Sequence, residues 1–202
     1  MAEPQIDPDM LRPVALICEP DPRNTMLVRV DLSNGASRPF ELIDHHEAIS
    51  SLVLSEAVPK EIAVQFETAK NLYLYAWFVY RFFPVAVHQS LACLELALRT
   101  RLVEEIRTRK VDFKGKKPSL HHLLDFANKT SLIRNEGFSR WVEANDPEWN
   151  LAESLADTLP KMRNEYAHGS TTLFSSVLHI LEVNCEIINQ LLEPPHQAKV
   201  SL

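Results

Sequence analysis

The chain has 202 residues, 46% hydrophobic and 24% charged, with a formal net charge of −6. That length and apolar share suit one main core with an appendage, and the acidic balance excludes a protein that coats nucleic acid by bulk positive charge. Four glycines and no GxGxxG or GxxxxGK(S/T) string exclude a glycine-rich phosphate loop, and three dispersed cysteines without a CxxC pair exclude a disulfide framework or zinc ribbon.

Residues 1–58 carry six prolines and short β-type runs, the clearest being Met26 to Leu32. Asn34-Gly35 follows where a hairpin turn is expected, because both residues tolerate positive φ. A short helix is expected from Asp44, with Asp44 as cap and Glu47 at the capping-box position. Pro59 closes this N-terminal appendage.

From Pro59 to Phe83 apolar residues crowd the circumference of what reads as one helix, wet only along Lys60, Glu61, Glu67 and Lys70. Such a helix needs cover from several partners. Its longest apolar run, Leu72 to Phe83, holds Arg81 and is too short to span a bilayer, so no membrane association is expected. Pro84 suits the first turn of a second helix, in which Val87, Leu91, Leu94, Leu98 and Leu102 step at helical spacing to about Arg109. The two helices are expected to pack antiparallel. Val111 to Pro118 reads as a basic loop, Ser119 as the N-cap of a helix over Leu120–Lys129, and Gly137 to Pro147 as an irregular connection.

A further helical unit begins at Trp149. Pro160 lies inside it, which predicts a break near Thr158 and a fresh short helix carrying residues 163–168, ended by Gly169. Ser170, Thr171 and Thr172 supply caps for a last helix with Leu173, Val177, Ile180, Leu181, Cys185, Ile188 and Leu191 on one face until Pro194-Pro195. The fold class is therefore all-α: a bundle of about four main helices over residues 59–193, with a hairpin-containing appendage before it and a tail over 194–202. No basic n-region precedes an apolar run at the N-terminus, so a cytoplasmic location is expected.

The richest chemistry lies in Leu159-Pro-Lys-Met-Arg163-Asn164-Glu-Tyr-Ala-His168-Gly169. An arginine fork binds phosphate oxygens in pairs, and a histidine moves protons near neutral pH. Asn164 and His168 are four apart and share a helix face, with Arg163 about 100° round. His168 reads as proton carrier, Arg163 as the stabiliser of developing phosphorane charge, and Asn164 as the residue orienting the imidazole or a phosphate oxygen. The competing reading pairs Arg163 with Glu165 and makes His168 a helix cap.

Arg-Asn-x-x-Ala-His-Gly ahead of a last long helix resembles the Arg-x(4–6)-His motif of HEPN domains. The order of the aromatic-rich helix, the Ser90 to Arg99 helix, Leu120-His-His-Leu-Leu124 and the motif is similar to that family over roughly residues 60–193. The resemblance implies a HEPN-like bundle acting as a metal-independent endoribonuclease, cofactor-free and dimeric with the motif at a shared cleft, in a toxin, stress or phage-defence setting. That setting admits a cognate antitoxin or other protein partner, and the alternative is an inactive module that binds RNA, nucleotide or a protein partner. A helical dimerisation scaffold is the third reading.

Around this centre Glu95 and Arg99 form a favourable i, i+4 pair that can alternatively orient the motif from a second helix, and Tyr166 either packs or stacks on a base. Residues 99–117 hold eight Lys or Arg against three acidic residues, so Lys114, Lys116 and Lys117 are candidate contacts to an RNA backbone. His121 with Asp125 gives two ligand types at i, i+4 but no third, and His45-His46 has no neighbouring ligand, so no metal site is expected. The apolar surface from Leu72 to Phe83 calls for a homodimer.

Overall fold

A computed structural model describes residues 7–109, 111, 117–140, 150–168 and 177–193. Among them are two short strands, β1 (Val28–Val30) and β2 (Ser37–Pro39), and six α-helices: α1 (Leu42–Ser50), α2 (Lys60–Tyr75), α3 (Phe82–Thr108), α4 (Leu120–Lys129), α5 (Leu151–Ala167) and α6 (Val177–Leu192). The all-α class expected from the sequence is what the chain forms.

β1 and β2 pair antiparallel with Val30 opposite Ser37. The loop between them needs one positive φ, taken by Gly35 at 73°, and the Asp31 carboxylate accepts from the Ser33 N–H and hydroxyl and from the Asn34 amide. Arg29 and Arg38 stand opposite each other on the face turned to α1, where both pair with Asp44. α1 starts one turn earlier than expected. Its N-cap is Glu41, and Asp44 is the N3 residue whose side chain accepts from the Glu41 N–H. The Arg38 fork, that N–H and Arg29 hold the Asp44 carboxyl well below the usual carboxylate range.

The Pro59–Phe83 segment is not one helix. α2 ends at Tyr75 and α3 begins at Phe82. The carbonyls left open at this corner are met by the N-terminal segment, as helix ends require: Asn24 donates to Ala76 O and Trp77 O at 2.9 Å, the Asp21 N–H to Trp77 O at 2.9 Å, and Arg12 to Phe78 O. In return the Asp21 carboxylate accepts from the Tyr80 N–H at 3.1 Å. Residues 7–58 of the same chain thus cover part of the apolar run from Leu72 to Phe83: Tyr73, Ala76, Trp77 and Phe83 are buried, while Tyr75 and Phe82 stay 55% and 37% exposed. α2 and α3 run antiparallel, since Ile62 O meets Cys93, Gln65 meets Gln89 and Tyr73 meets Phe83.

α3 is the axis of the bundle, packed by α2, α4, α5 and α6. Leu91, Leu94, Leu98 and Leu102 are fully buried on it, with Phe66 from α2 and Leu181 and Ile188 from α6. Across that core Asn184 of α6 donates to the Ser90 hydroxyl at 2.8 Å.

Candidate functional site

α4 and α5 place the motif. Ser119 caps α4 with a reciprocal bond to His122, as the Ser-x-x-His spacing predicts. Asn150 caps α5 by accepting from the Glu153 N–H; Trp149 lies outside the described residues. α5 then runs through Pro160 to Ala167 without the predicted break. Pro160 has no N–H for Ala156 O, and that carbonyl is taken instead by His121 Nδ1 of α4 at 3.0 Å. An imidazole from the next helix replaces the missing bond, so the helix continues and the motif sits on its last turns rather than on a separate short helix.

Arg163 reaches across to α3. Its Nη2 is 3.5 Å from Glu95 Oε2, while Glu95 Oε1 accepts from Arg99 at 2.6 Å. Arg99 also donates to Pro118 O at 3.0 Å, where the basic loop rejoins the fold. Glu95 therefore makes the intrahelical pair the sequence offered and also stands between two guanidinium groups. Arg163 is 41% exposed at this surface.

Asn164 and His168 are exposed on the same helix end. His168 is the C-cap, its N–H donating to Asn164 O at 3.1 Å, and its imidazole stands open to solvent. Gly169 lies outside the described residues, as do Ser170 to Leu173, Lys114 and Lys116. Lys117 is described and exposed. The Tyr166 ring packs against the core and burial pushes its hydroxyl pKa up to about 12, so it is a packing residue first.

The helical part of the basic stretch is largely neutralised: Arg107 pairs with Glu104 at 2.8 Å and Arg109 with Glu105 at 2.6 Å. The metal-like pair is also dispersed, because Asp125 pairs with Lys129 at 2.8 Å while His121 serves Ala156 O. Among the described residues no three His, Cys, Asp or Glu side chains gather to hold a metal ion. A polar cleft of about 450 Å³ does lie between α4 and α5, lined by His121, Asp125, Asn128, Glu153 and Asp157; it is separate from the motif end.

Sequence reasoning missed a buried polar cluster at the α2–α3 corner. His45 is 3% exposed, stacks on Tyr73 with ring centroids 4.3 Å apart, and lies 2.8 Å from Tyr73 O. Phe40, Trp77 and Phe83 complete its surround. The only signal in the sequence was His45 at helical spacing from Ile49 on an otherwise polar segment.

No helix among the described residues is long and apolar enough to cross a membrane. No family model matches the chain, and no curated protein or solved structure matches it.

Proposed function

We propose that the protein is a metal-independent endoribonuclease of HEPN type, with Arg163 and His168 as the central pair and Asn164 orienting the imidazole or a phosphate oxygen. The supporting observation is the Glu95 bridge, which ties Arg163 to a second arginine at the open end of α5 within a few residues of an exposed imidazole. In the reaction the RNA 2′-oxygen bonds to phosphorus as the bond to the 5′-oxygen breaks. His168 takes the 2′-hydroxyl proton, Arg163 meets the charge that grows on the phosphorane, and the departing 5′-oxygen takes its proton from water or a second imidazole. Glu95 acts as a positioning residue for both arginines, and Lys117 with Lys114 and Lys116 contacts the RNA backbone.

The second reading is a non-catalytic module that holds RNA, nucleotide or a protein partner at the same surface. It is favoured by the acidic total of −6, which suits a selective site over an indiscriminate nuclease. A toxin or phage-defence setting with a cognate antitoxin belongs to the nuclease reading.

Purified protein incubated in EDTA with structured and unstructured RNAs tests the choice. The nuclease reading expects products ending in a 2′,3′-cyclic phosphate from the wild type and none from His168→Ala or Arg163→Ala. Intact RNA with a folded wild type would transfer the assignment to the binding module.

A further inference from the structure

α5 is held unequally on the two sides of Pro160. Before it, Ala152, Ala156 and Leu159 are buried, and the Asn128 amide of α4 donates to Ala152 O at 2.8 Å. Beyond it no residue of the helix is buried: Met162 and Tyr166 are only partly buried against the core, and Arg163 reaches α3 through Glu95. A proline is where a helix bends most readily, because its ring crowds the carbonyl four residues back and leaves it without a donor. In α5 that carbonyl is Ala156 O, and His121 Nδ1 meets it at 3.0 Å. A carbonyl only accepts, so Nδ1 carries the hydrogen, and the bond stands whether the imidazole is neutral or charged. The Asp157 carboxylate is farther from that nitrogen, at 3.7 Å, so the bond acts on the helix backbone. The first turn of α4, which carries His121, is itself tied to α3: Arg99 Nη2 donates to Pro118 O at 3.0 Å and to Glu95 Oε1 at 2.6 Å. The contacts therefore close a circuit from Ala156 through His121 to α4, through Arg99 and Glu95 on α3, and back to α5 at Arg163. Pro160 lies inside the stretch of α5 that the circuit closes.

We propose that residues 161–167 form an arm hinged at Pro160, and that His121 is the positioning residue that keeps the arm straight and so sets where Arg163 and His168 stand. Without the His121 bond the helix relieves its stranded carbonyl by bending at the proline. A bend of about 20° carries the end of α5, about 10 Å beyond Pro160, sideways by about 3.5 Å. That displacement matches the whole Arg163–Glu95 separation of 3.5 Å. It is also several times the roughly 1 Å of misplacement that already costs a reacting group most of its effect. His121 touches neither substrate nor reacting atom in this scheme; it acts through Ala156 O on the path of the helix. The hinge stands on α4 and α5 alone, and only its consequence for cleavage rests on the nuclease reading.

Amide hydrogen exchange on the full chain tests the hinge without reference to RNA. His121→Ala should speed exchange over residues 161–167 about fivefold, with residues 151–157 changed by less than about twofold. Two variants should return the wild-type rates: His121→Asn, whose amide nitrogen stands where Nδ1 stands, and His121→Ala combined with Pro160→Ala, whose restored N–H meets Ala156 O. In RNA cleavage the kcat of His121→Ala should fall about fivefold or more with KM within about twofold of wild type, and both rescue variants should recover it. No rise in exchange, or an equal rise in both segments, overturns the hinge. A rise that Pro160→Ala leaves uncorrected overturns the action of His121 through that carbonyl. Wild-type kcat in His121→Ala with a fast-exchanging arm overturns the positioning role and leaves the hinge. The expected exchange pattern with RNA left intact by the wild type supports the hinge and removes the nuclease.

Discussion

The α2–α3 corner and the C-terminal end of α5 both gather polar side chains, in opposite states. At the corner Asp21, Asn24 and His45 are at most 3% exposed and bonded to backbone groups that the end of α2 and the turn after it leave open. At the end of α5, Asn164 and His168 face water and Arg163 has one 3.5 Å pairing across to α3. Groups held as at the corner contribute to stability and are withdrawn from chemistry, since moving them strands a buried partner. Groups held as at the end of α5 contribute little to stability and are available to a substrate.

The largest expected effect is at Asp21. Burial raises its carboxyl pKa, but the Arg23 side chain and the N–H groups of Tyr80 and Arg23 outweigh this and keep it lowered and charged. Asp21→Ala removes that charge and strands the Tyr80 N–H, which should lower stability by about 3 kcal/mol in a urea titration. Asn24→Ala strands the Ala76 carbonyl and takes one of two donors from Trp77 O, and should cost about 2 kcal/mol. Values near zero for both would erase the contrast between the two regions.

His45 gives the corner a pH signature. Burial disfavours the imidazolium and keeps the pKa below its ordinary 6.5, against the opposing pull of Tyr73 O. The neutral side chain is therefore at full advantage above 6.5, and the advantage is lost as pH falls through the lowered value. The wild-type melting temperature should decline as pH falls below about 6.5, and His45→Gln should flatten the decline. An equal decline in the variant would move the effect to another group.

At the α4–α5 junction His121→Ala should cost about 1 kcal/mol for the stranded Ala156 carbonyl. The same change in a Pro160→Ala background should cost clearly less, because the restored N–H satisfies that carbonyl within the helix. A double-mutant cycle with no coupling would break this account of the unbroken helix.

The smallest effects belong to the motif. Arg163→Ala and His168→Ala should each change stability by less than about 0.5 kcal/mol, as exposed side chains do. A loss comparable to that of Asp21→Ala would make the motif structural and place both regions in one class.

Local rules read well where the responsible groups are neighbours in sequence. Ser119 and the Leu120–Lys129 helix have the expected bounds because the cap and the N–H it accepts from are three residues apart. Pro84 lies in the first turn of α3, where its missing N–H has no partner to lose. The readings that failed depended on distant partners. The Pro160 break was withheld by His121, the Pro59–Phe83 helix was divided by a corner that Asn24 and Asp21 hold open, and Asp44 became the N3 residue facing two arginines of the hairpin rather than the cap.

By itself the sequence determined the helical class, the hairpin, most helix positions and the grouping of an arginine, an amide and a histidine within six residues, because periodicity, caps and side-chain type are local properties. Only the tertiary structure decided which of those polar groups are used up. Glu95 was assigned to two arginines, His121 to a proline's orphan carbonyl and His45 to an aromatic surround, while His168 was left in water. A side chain's availability depends on which helix packs against it, and that is set by burial of the whole core rather than by any segment's own pattern.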